Sequence, residues 1–176
     1  GYLLQQLSFQ GIEKVVVLVG YLGDQIKKFC GDGREWGIQI TCVESSPESE
    51  TGWRLRDARH LLDPFFLLMY CDNYWPMDLV DMTKAFISLD CVGMITVYSN
   101  LDQYTRNNVK VDPNGYITLY DPTRTAMGLN SVEIGYAILS REILDYISED
   151  NIPFSRSAYP RLAEKRLLRA YITNHR

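Results

Sequence analysis

The sequence predicts an α/β fold: a mostly parallel mixed sheet with helices on both faces. Two observations carry this. Val15-Val16-Val17-Leu18-Val19 and Phe65-Phe66-Leu67-Leu68-Met69 are unbroken apolar runs, the pattern of strands buried on both faces. Segments with helical spacing separate such runs, and alternating βα units lay strands parallel beneath covering helices. At 176 residues with 46% hydrophobic content, the chain suits one packed domain spanning residues 1–176.

The elements follow in order. Residues 2–9 place Leu3, Leu4 and Leu7 on one helical face, and Gly11 follows at the position of a helix-terminating glycine. After the strand 15–19, a helix is expected with Leu22, Ile26 and Phe29 inward and Asp24, Gln25, Lys27 and Lys28 outward, ended by Gly31-Asp32-Gly33. A strand over 38–43, a helix over 53–62 and a buried strand over 65–70 come next. Asp78 caps a helix whose Leu79, Met82, Phe86 and Leu89 face inward. A strand over 92–98 precedes alternating strands at 108–112 and 116–120, joined by the hairpin signal Asn114-Gly115. The remainder predicts a strand over 132–139, a helix around Ile143, Leu144 and Ile147, a helix over 158–167 and a strand over 170–173.

Composition excludes some functions. Eighteen basic against 22 acidic residues give a net charge of -4, not the basic footprint of a nucleic-acid-binding protein. No apolar run is long enough to span a bilayer, and no secretory leader is recognisable. Cys30, Cys42, Cys71 and Cys91 lack paired spacing, sit in apolar surroundings and read as reduced core thiols of a cytoplasmic protein. A doubly wound domain normally opens with a strand whose βα loop binds phosphate. That strand, its loop and the carboxyl-terminal end are expected to lie outside this sequence.

In an open parallel sheet, ligands bind beyond the carboxyl ends of the strands. Asp72 falls there, within Cys71-Asp72-Asn73-Tyr74-Trp75-Pro76. Its carboxylate can hold a divalent cation or cap the next turn. Thr51-Gly52-Trp53-Arg54-Leu55 starts a helix and offers backbone N–H groups, a hydroxyl and a guanidinium to an anion; the plainer reading is a Thr-capped helix with a solvated Arg. Asn107, Asn108 and the segment 130–135, with Asn130 and Glu133, place amides and a carboxylate at strand ends, where sugar hydroxyls could be bound. His60 and His175 have no partner in sequence and read as structural or solvated.

Taken together, these motifs resemble the sugar-phosphate nucleotidylyltransferases, which include glucose-1-phosphate thymidylyl- and cytidylyltransferases and mannose- or heptose-1-phosphate guanylyltransferases. Gly11-Ile12-Glu13-Lys14 through Gly20-Tyr21-Leu22 is similar to the family's second βα unit, and Phe29 to Gly33 with Trp36-Gly37-Ile38 to the stretch after it. Thr51-Gly52-Trp53-Arg54-Leu55 resembles the cytidylyltransferase segment T-G-G-R-L, and Tyr70-Cys71-Asp72-Asn73 the G-D-N metal motif. Asn114-Gly115-Tyr116-Ile117 and Leu129-Asn130 through Gly135-Tyr136 resemble the sugar-side hairpin and the strand after it. The G-x-G-[ST]-R loop, the Lys-Pro motif after it and a second metal aspartate are missing. The family's E-K-P motif is replaced by Tyr120-Asp121-Pro122-Thr123-Arg124, and Cys71 and Trp53 stand where glycines are usual.

The resemblance implies a Rossmann-like domain of nucleotide-sugar biosynthesis, such as supplies polysaccharide or lipopolysaccharide assembly. A sugar 1-phosphate would attack the α-phosphorus of a nucleoside triphosphate and displace pyrophosphate. It implies Mg2+ on Asp72 as the catalytic centre, with the nucleotide held by Thr51, Gly52 and Arg54. The sugar would be held by Asn73, Asn107, Asn130 and Glu133. A homo-oligomer fits this reading; nucleic acid and membrane do not. Two alternatives stand beside it. One is a catalytically degenerate binding domain. The other is a nucleotide-sugar-dependent glycosyltransferase, although Asp72-Asn73-Tyr74 lacks the second Asp of a D-x-D pair.

Overall fold

The computed structural model describes residues 1–175. Among the described residues, five α-helices and eight strands follow one another along the chain. They are α1 (Tyr2–Phe9), β1 (Lys14–Val19), α2 (Gly23–Cys30), β2 (Gln39–Glu44), α3 (Thr51–Asp57), β3 (Phe65–Met69), α4 (Leu79–Ile87), β4 (Gly93–Tyr98), β5 (Val109–Val111), β6 (Ile117–Tyr120), β7 (Val132–Ser140), α5 (Phe154–Glu164) and β8 (Leu168–Thr173). Residues Arg141–Tyr146, expected as an α-helix, form a 3-10 helix.

The strands form three sheets. β1 and β2 pair in parallel, β5 and β6 form the Asn114-Gly115 hairpin, and a four-stranded sheet runs β3-β7-β4-β8. The α/β class and the mixed sheet agree with expectation, but the parallel share is smaller. β1–β2 and β4–β8 are parallel, whereas β7 runs antiparallel to both β3 and β4. Apolar runs carry no direction, because a strand buried on both faces looks the same in either orientation.

Period two sorts the central strands between two cores. Ile95, Val97, Ala137 and Leu139 face Leu55, Phe154, Tyr159 and Leu162 of α3 and α5. Met94, Tyr136 and Ile138 face Leu7 of α1, Met82 and Phe86 of α4, and Trp75. Every residue of β4 is buried, each large side chain contributing about 1.5–3 kcal/mol of hydrophobic stabilisation.

Some expectations are corrected. In α2 the inward positions are Gly23 and Cys30, with Lys27 half-buried between them, so the apolar face predicted from Leu22, Ile26 and Phe29 points to solvent. Gly23 packs on the Val19 side chain, 3.4 Å from where its Cβ would stand. Thr51 is the first residue of α3 and does not cap it; Glu50 precedes the helix without a side-chain cap. Cys71 is exposed, and the other three free thiols are buried or half-buried. Asp78 does cap α4, its Oδ1 accepting from the Asp81 N–H at 2.9 Å. Among the described residues, no helix is long and apolar enough to cross a membrane.

Candidate functional site

β3 and β7 build one side of the site. Their register runs from Phe65 opposite Ser140 to Met69 opposite Tyr136, and the Tyr70 N–H donates to the Gly135 carbonyl at 3.0 Å. Gly135 has φ +86°, and a Cβ there would meet the Tyr70 ring at 3.3 Å, so a residue without a side chain is needed at this crossing. The pairing carries the segment after β3 alongside 133–135. Asn73 Nδ2 donates to the Ile134 carbonyl at 2.6 Å. The Tyr136 hydroxyl donates to the Asn73 carbonyl at 3.1 Å and accepts from the Trp75 N–H at 2.9 Å. Asp72 sits on this braced turn, exposed, and among the described residues no hydrogen bond or ion pair engages its carboxylate.

Glu133 faces the same turn from β7. Its Oε1 accepts from the Gly135 N–H at 2.7 Å, while its own N–H donates to Asn108 Oδ1 at 2.9 Å. Burial pushes its carboxyl up to about 7, the charge of Asp72 adds to the rise, and the Gly135 N–H and Arg124 oppose it. Near neutrality this carboxyl therefore both donates and accepts. Tyr70, Tyr120 and Tyr159 surround it. Burial, with the Glu133 charge next, raises all three phenols, Tyr70 to about 12. Each remains a neutral O–H.

The hairpin side is held by asparagines. Asn107 Nδ2 donates to the Leu129 carbonyl at 3.1 Å, and its Oδ1 accepts from Asn100 Nδ2 at 2.7 Å. Asn130 pairs its amide with both backbone groups of Val111, at 2.9 Å each. Arg124, in a left-handed conformation, donates to the Arg106 carbonyl at 2.8 Å. Asp121 organises the preceding turn. The Thr123 hydroxyl and the N–H groups of Thr123, Thr125 and Ala126 hold its carboxyl well below the usual range.

The α3 segment lies differently. The Thr51 hydroxyl accepts from the Phe154 N–H at 2.8 Å. Gly52 is buried where a Cβ would meet the Ile152 carbonyl at 3.0 Å. Arg54 alone reaches a strand end. Its guanidinium lies directly against Gly20 after β1, and its Nε donates to the Ser49 carbonyl at 2.8 Å. The structure thus brings Asp72, Asn73 and Glu133 together. It places Arg54 at the neighbouring strand end and commits Thr51, Gly52, Asn107 and Asn130 to internal contacts.

No protein-family model matches the chain. It is 23% identical over 150 residues to the low-salt glycan biosynthesis nucleotidyltransferase Agl11 of Haloferax volcanii, covering 84% of this chain and 42% of that protein. It is 20% identical over 192 residues to the probable glucose-1-phosphate cytidylyltransferase of Bacillus subtilis, covering 97% and 74%. Among solved structures, HddC from Yersinia pseudotuberculosis, also solved complexed with GMP-PN, superposes with a TM-score of 0.79. That match has 17% identity and covers 99% of this chain and 76% of that one. The chain is thus similar, at low identity, to nucleotidyltransferases that act on sugar phosphates, and it shares the fold of the solved ones. It spans less than half the length of the Haloferax protein.

The nucleotidyltransferase resemblance implies a magnesium ion, and the donor set can be tested against it. Asp72 offers an uncommitted carboxylate, and Glu133 stands beside it with a carboxyl only partly ionised at neutral pH. Among the described residues no three acidic, His or Cys side chains converge. This set fits an ion bound by one or two carboxylates, water and substrate phosphates, and does not fit an all-protein cage. Sequence reasoning missed the tyrosines around Glu133. Tyr70 carried a usable signal, since it immediately precedes the Cys71-Asp72 segment; Tyr120 and Tyr159 come from distant elements and carried none.

Proposed function

We propose that this chain forms the substrate-binding core of a sugar-1-phosphate nucleotidylyltransferase, which makes a nucleotide-sugar and releases pyrophosphate. The observation that supports it most is the β3–β7 crossing, which sets the Asp72-Asn73 turn after β3 beside Glu133 of β7. In the reaction, a phosphate oxygen of the sugar 1-phosphate attacks the α-phosphorus of a nucleoside triphosphate. The bond to the β-phosphate oxygen breaks, and pyrophosphate leaves with its electron pair. A magnesium ion, when bound, neutralises charge on the phosphates; Asp72, with Glu133 beside it, would hold it.

The chain's own groups position the reactants. Glu133 hydrogen-bonds a sugar hydroxyl in either protonation state, and the neutral Tyr70 closes the wall next to it. Arg54 presents its guanidinium to the nucleotide at the end of β1, and Asn73 orients the sugar. Thr51, Gly52, Asn107 and Asn130 shape the walls. Such transfers need little covalent help, so positioning and charge neutralisation carry the catalysis. The binding-only alternative draws on one observation: Thr51, Asn107 and Asn130 spend their polar groups on the chain itself. The deciding experiment assays pyrophosphate release by the complete encoded protein with magnesium, over a panel of nucleoside triphosphates and sugar 1-phosphates. Turnover with one pair supports the enzyme. Saturable ligand binding without pyrophosphate supports the binding domain.

A further inference from the structure

Tyr136 is a buried tyrosine whose hydroxyl does not serve the core around it. The ring is wholly enclosed, in the layer that holds Leu7, Met82, Phe86 and Trp75. A phenylalanine ring has the same shape and would fill that space. The hydroxyl instead holds two backbone groups of the segment after β3. It donates to the Asn73 carbonyl at 3.1 Å and accepts from the Trp75 N–H at 2.9 Å. Burial raises the phenol above its ordinary value, so it keeps the proton that the first of these bonds requires.

The strand is distorted where it makes this reach. Ile95 of β4 pairs with Ala137 and Val97 with Glu133, so a step of two residues on β4 matches a step of four on β7. The excess falls at residues 134–136, with Gly135 at its centre in a left-handed conformation. A bulge re-aims the groups of its strand, and here three successive residues serve the segment after β3. The Ile134 carbonyl accepts from Asn73 Nδ2 at 2.6 Å, the Gly135 carbonyl accepts from the Tyr70 N–H at 3.0 Å, and the Tyr136 hydroxyl completes the set. Asp72 is therefore pinned through Tyr70 on one side and Asn73 on the other. Trp75 is fixed further along. Its carbonyl accepts from Gln6 Nε2 at 2.6 Å, and its ring lies edge-on to Tyr136 with centroids 5.5 Å apart.

We propose that Tyr136 is a positioning residue: its hydroxyl fixes the turn that carries Asp72 and so sets where that carboxylate meets a divalent cation, a role that rests on Asp72 being the ligand of that cation. Among the described residues no hydrogen bond or ion pair holds the carboxylate itself, so its place is inherited from the backbone on either side. Groups that orient a metal ligand without touching the metal weigh on affinity almost as the ligand does. Without the hydroxyl, the Asn73 carbonyl and the Trp75 N–H lose their shared partner. The turn can then drift while the ring keeps the core filled.

The test compares Tyr136→Phe with Ile138→Val, which trims a buried side chain of the same core layer and leaves the turn untouched. Both are made in the complete encoded protein. With no metal added, the Trp75 amide should exchange at least about tenfold faster in Tyr136→Phe than in the parent, while the amides of β3 do not change. In the pyrophosphate assay, Tyr136→Phe should raise the magnesium concentration for half-maximal release at least about tenfold, with a smaller loss at saturating magnesium. Ile138→Val should move neither readout. Should Tyr136→Phe not fold, 4-aminophenylalanine incorporated in place of Tyr136 keeps a donor for the Asn73 carbonyl but is a poor acceptor for the Trp75 N–H; the same two shifts are then expected from it. An unchanged Trp75 amide overturns the proposal whatever the activity. If Asp72→Asn abolishes turnover while Tyr136→Phe keeps the parent's magnesium requirement, or shifts it only as Ile138→Val does, Tyr136 is a core residue and the proposal falls alone. If Asp72→Asn turns over as the parent does, or neither turns over, Asp72 is not the cation's ligand and the proposal falls with it.

Discussion

At the scale of single residues, the candidate site separates groups free to act from groups already occupied. Asp72 is free. In the complete protein Asp72→Asn should leave the unfolding midpoint unchanged and lower kcat at least about a hundredfold, the scale for losing one preorganised charge-stabilising group. Near-normal turnover at saturating magnesium would make Asp72 a turn residue. Glu133 makes a pH prediction. Its folded pKa, about 7, lies above the ordinary 4.5, so between these values the folded state binds more protons than the unfolded one. Stability is therefore full below about pH 4.5 and falls as pH rises through 7, by an amount of order 2 kcal/mol. Glu133→Gln should flatten that fall in urea titrations at pH 5 and pH 8; parallel curves for the two proteins would contradict the assignment. Arg54→Lys keeps the charge but loses the planar fork that lies on Gly20. Calorimetry should then show nucleotide affinity weakened more than sugar-phosphate affinity, and unchanged affinity would leave Arg54 as a brace for the 47–49 loop.

At the scale of elements, sequence periodicity was informative where one face decides and misleading where two compete. α4 reads correctly because Met82 and Phe86 have a single core to enter. α2 misleads because its most apolar stripe, Leu22, Ile26 and Phe29, is not the stripe that packs; Gly23 and Cys30 are buried instead. The turn after α2 shows how much a backbone contact can demand. Gly33 has φ +89°, and a Cβ would collide with the Ile38 carbonyl. Gly33→Ala should cost upwards of about 2 kcal/mol in chemical denaturation, combining the left-handed penalty with the clash. A loss below half a kcal/mol would mean the turn can rearrange.

At the scale of the whole molecule, the order of strands and helices was legible because each is a local pattern. The site was legible only in part. Asp72 announces itself by following an apolar strand, and Glu133 is visible as a polar residue opening another. Their meeting depends on β7 pairing with β3 across some 65 residues of chain, which no local pattern encodes. The same long-range architecture rests on packing more than on charge. The ion pairs among the described residues, Lys27 with Asp24 and Glu44, Arg34 with Asp32 and Arg166 with Asp112, each include an exposed partner. Raising salt to about 1 M should shift the melting temperature by no more than about 2 °C, because surface pairs contribute little and screen readily. A larger drop would reveal an electrostatic contribution that the geometry does not.

The position of β7 also governs how the protein is made. β3 and β4 leave the ribosome before β7, so neither has its shared neighbour until residue 140 has been synthesised. At about 5–20 residues per second, the roughly forty residues after β4 take several seconds. Throughout that interval two apolar strands stand unpaired. Newly made chains are then at their most adhesive, and chaperone demand should peak before residue 140 appears.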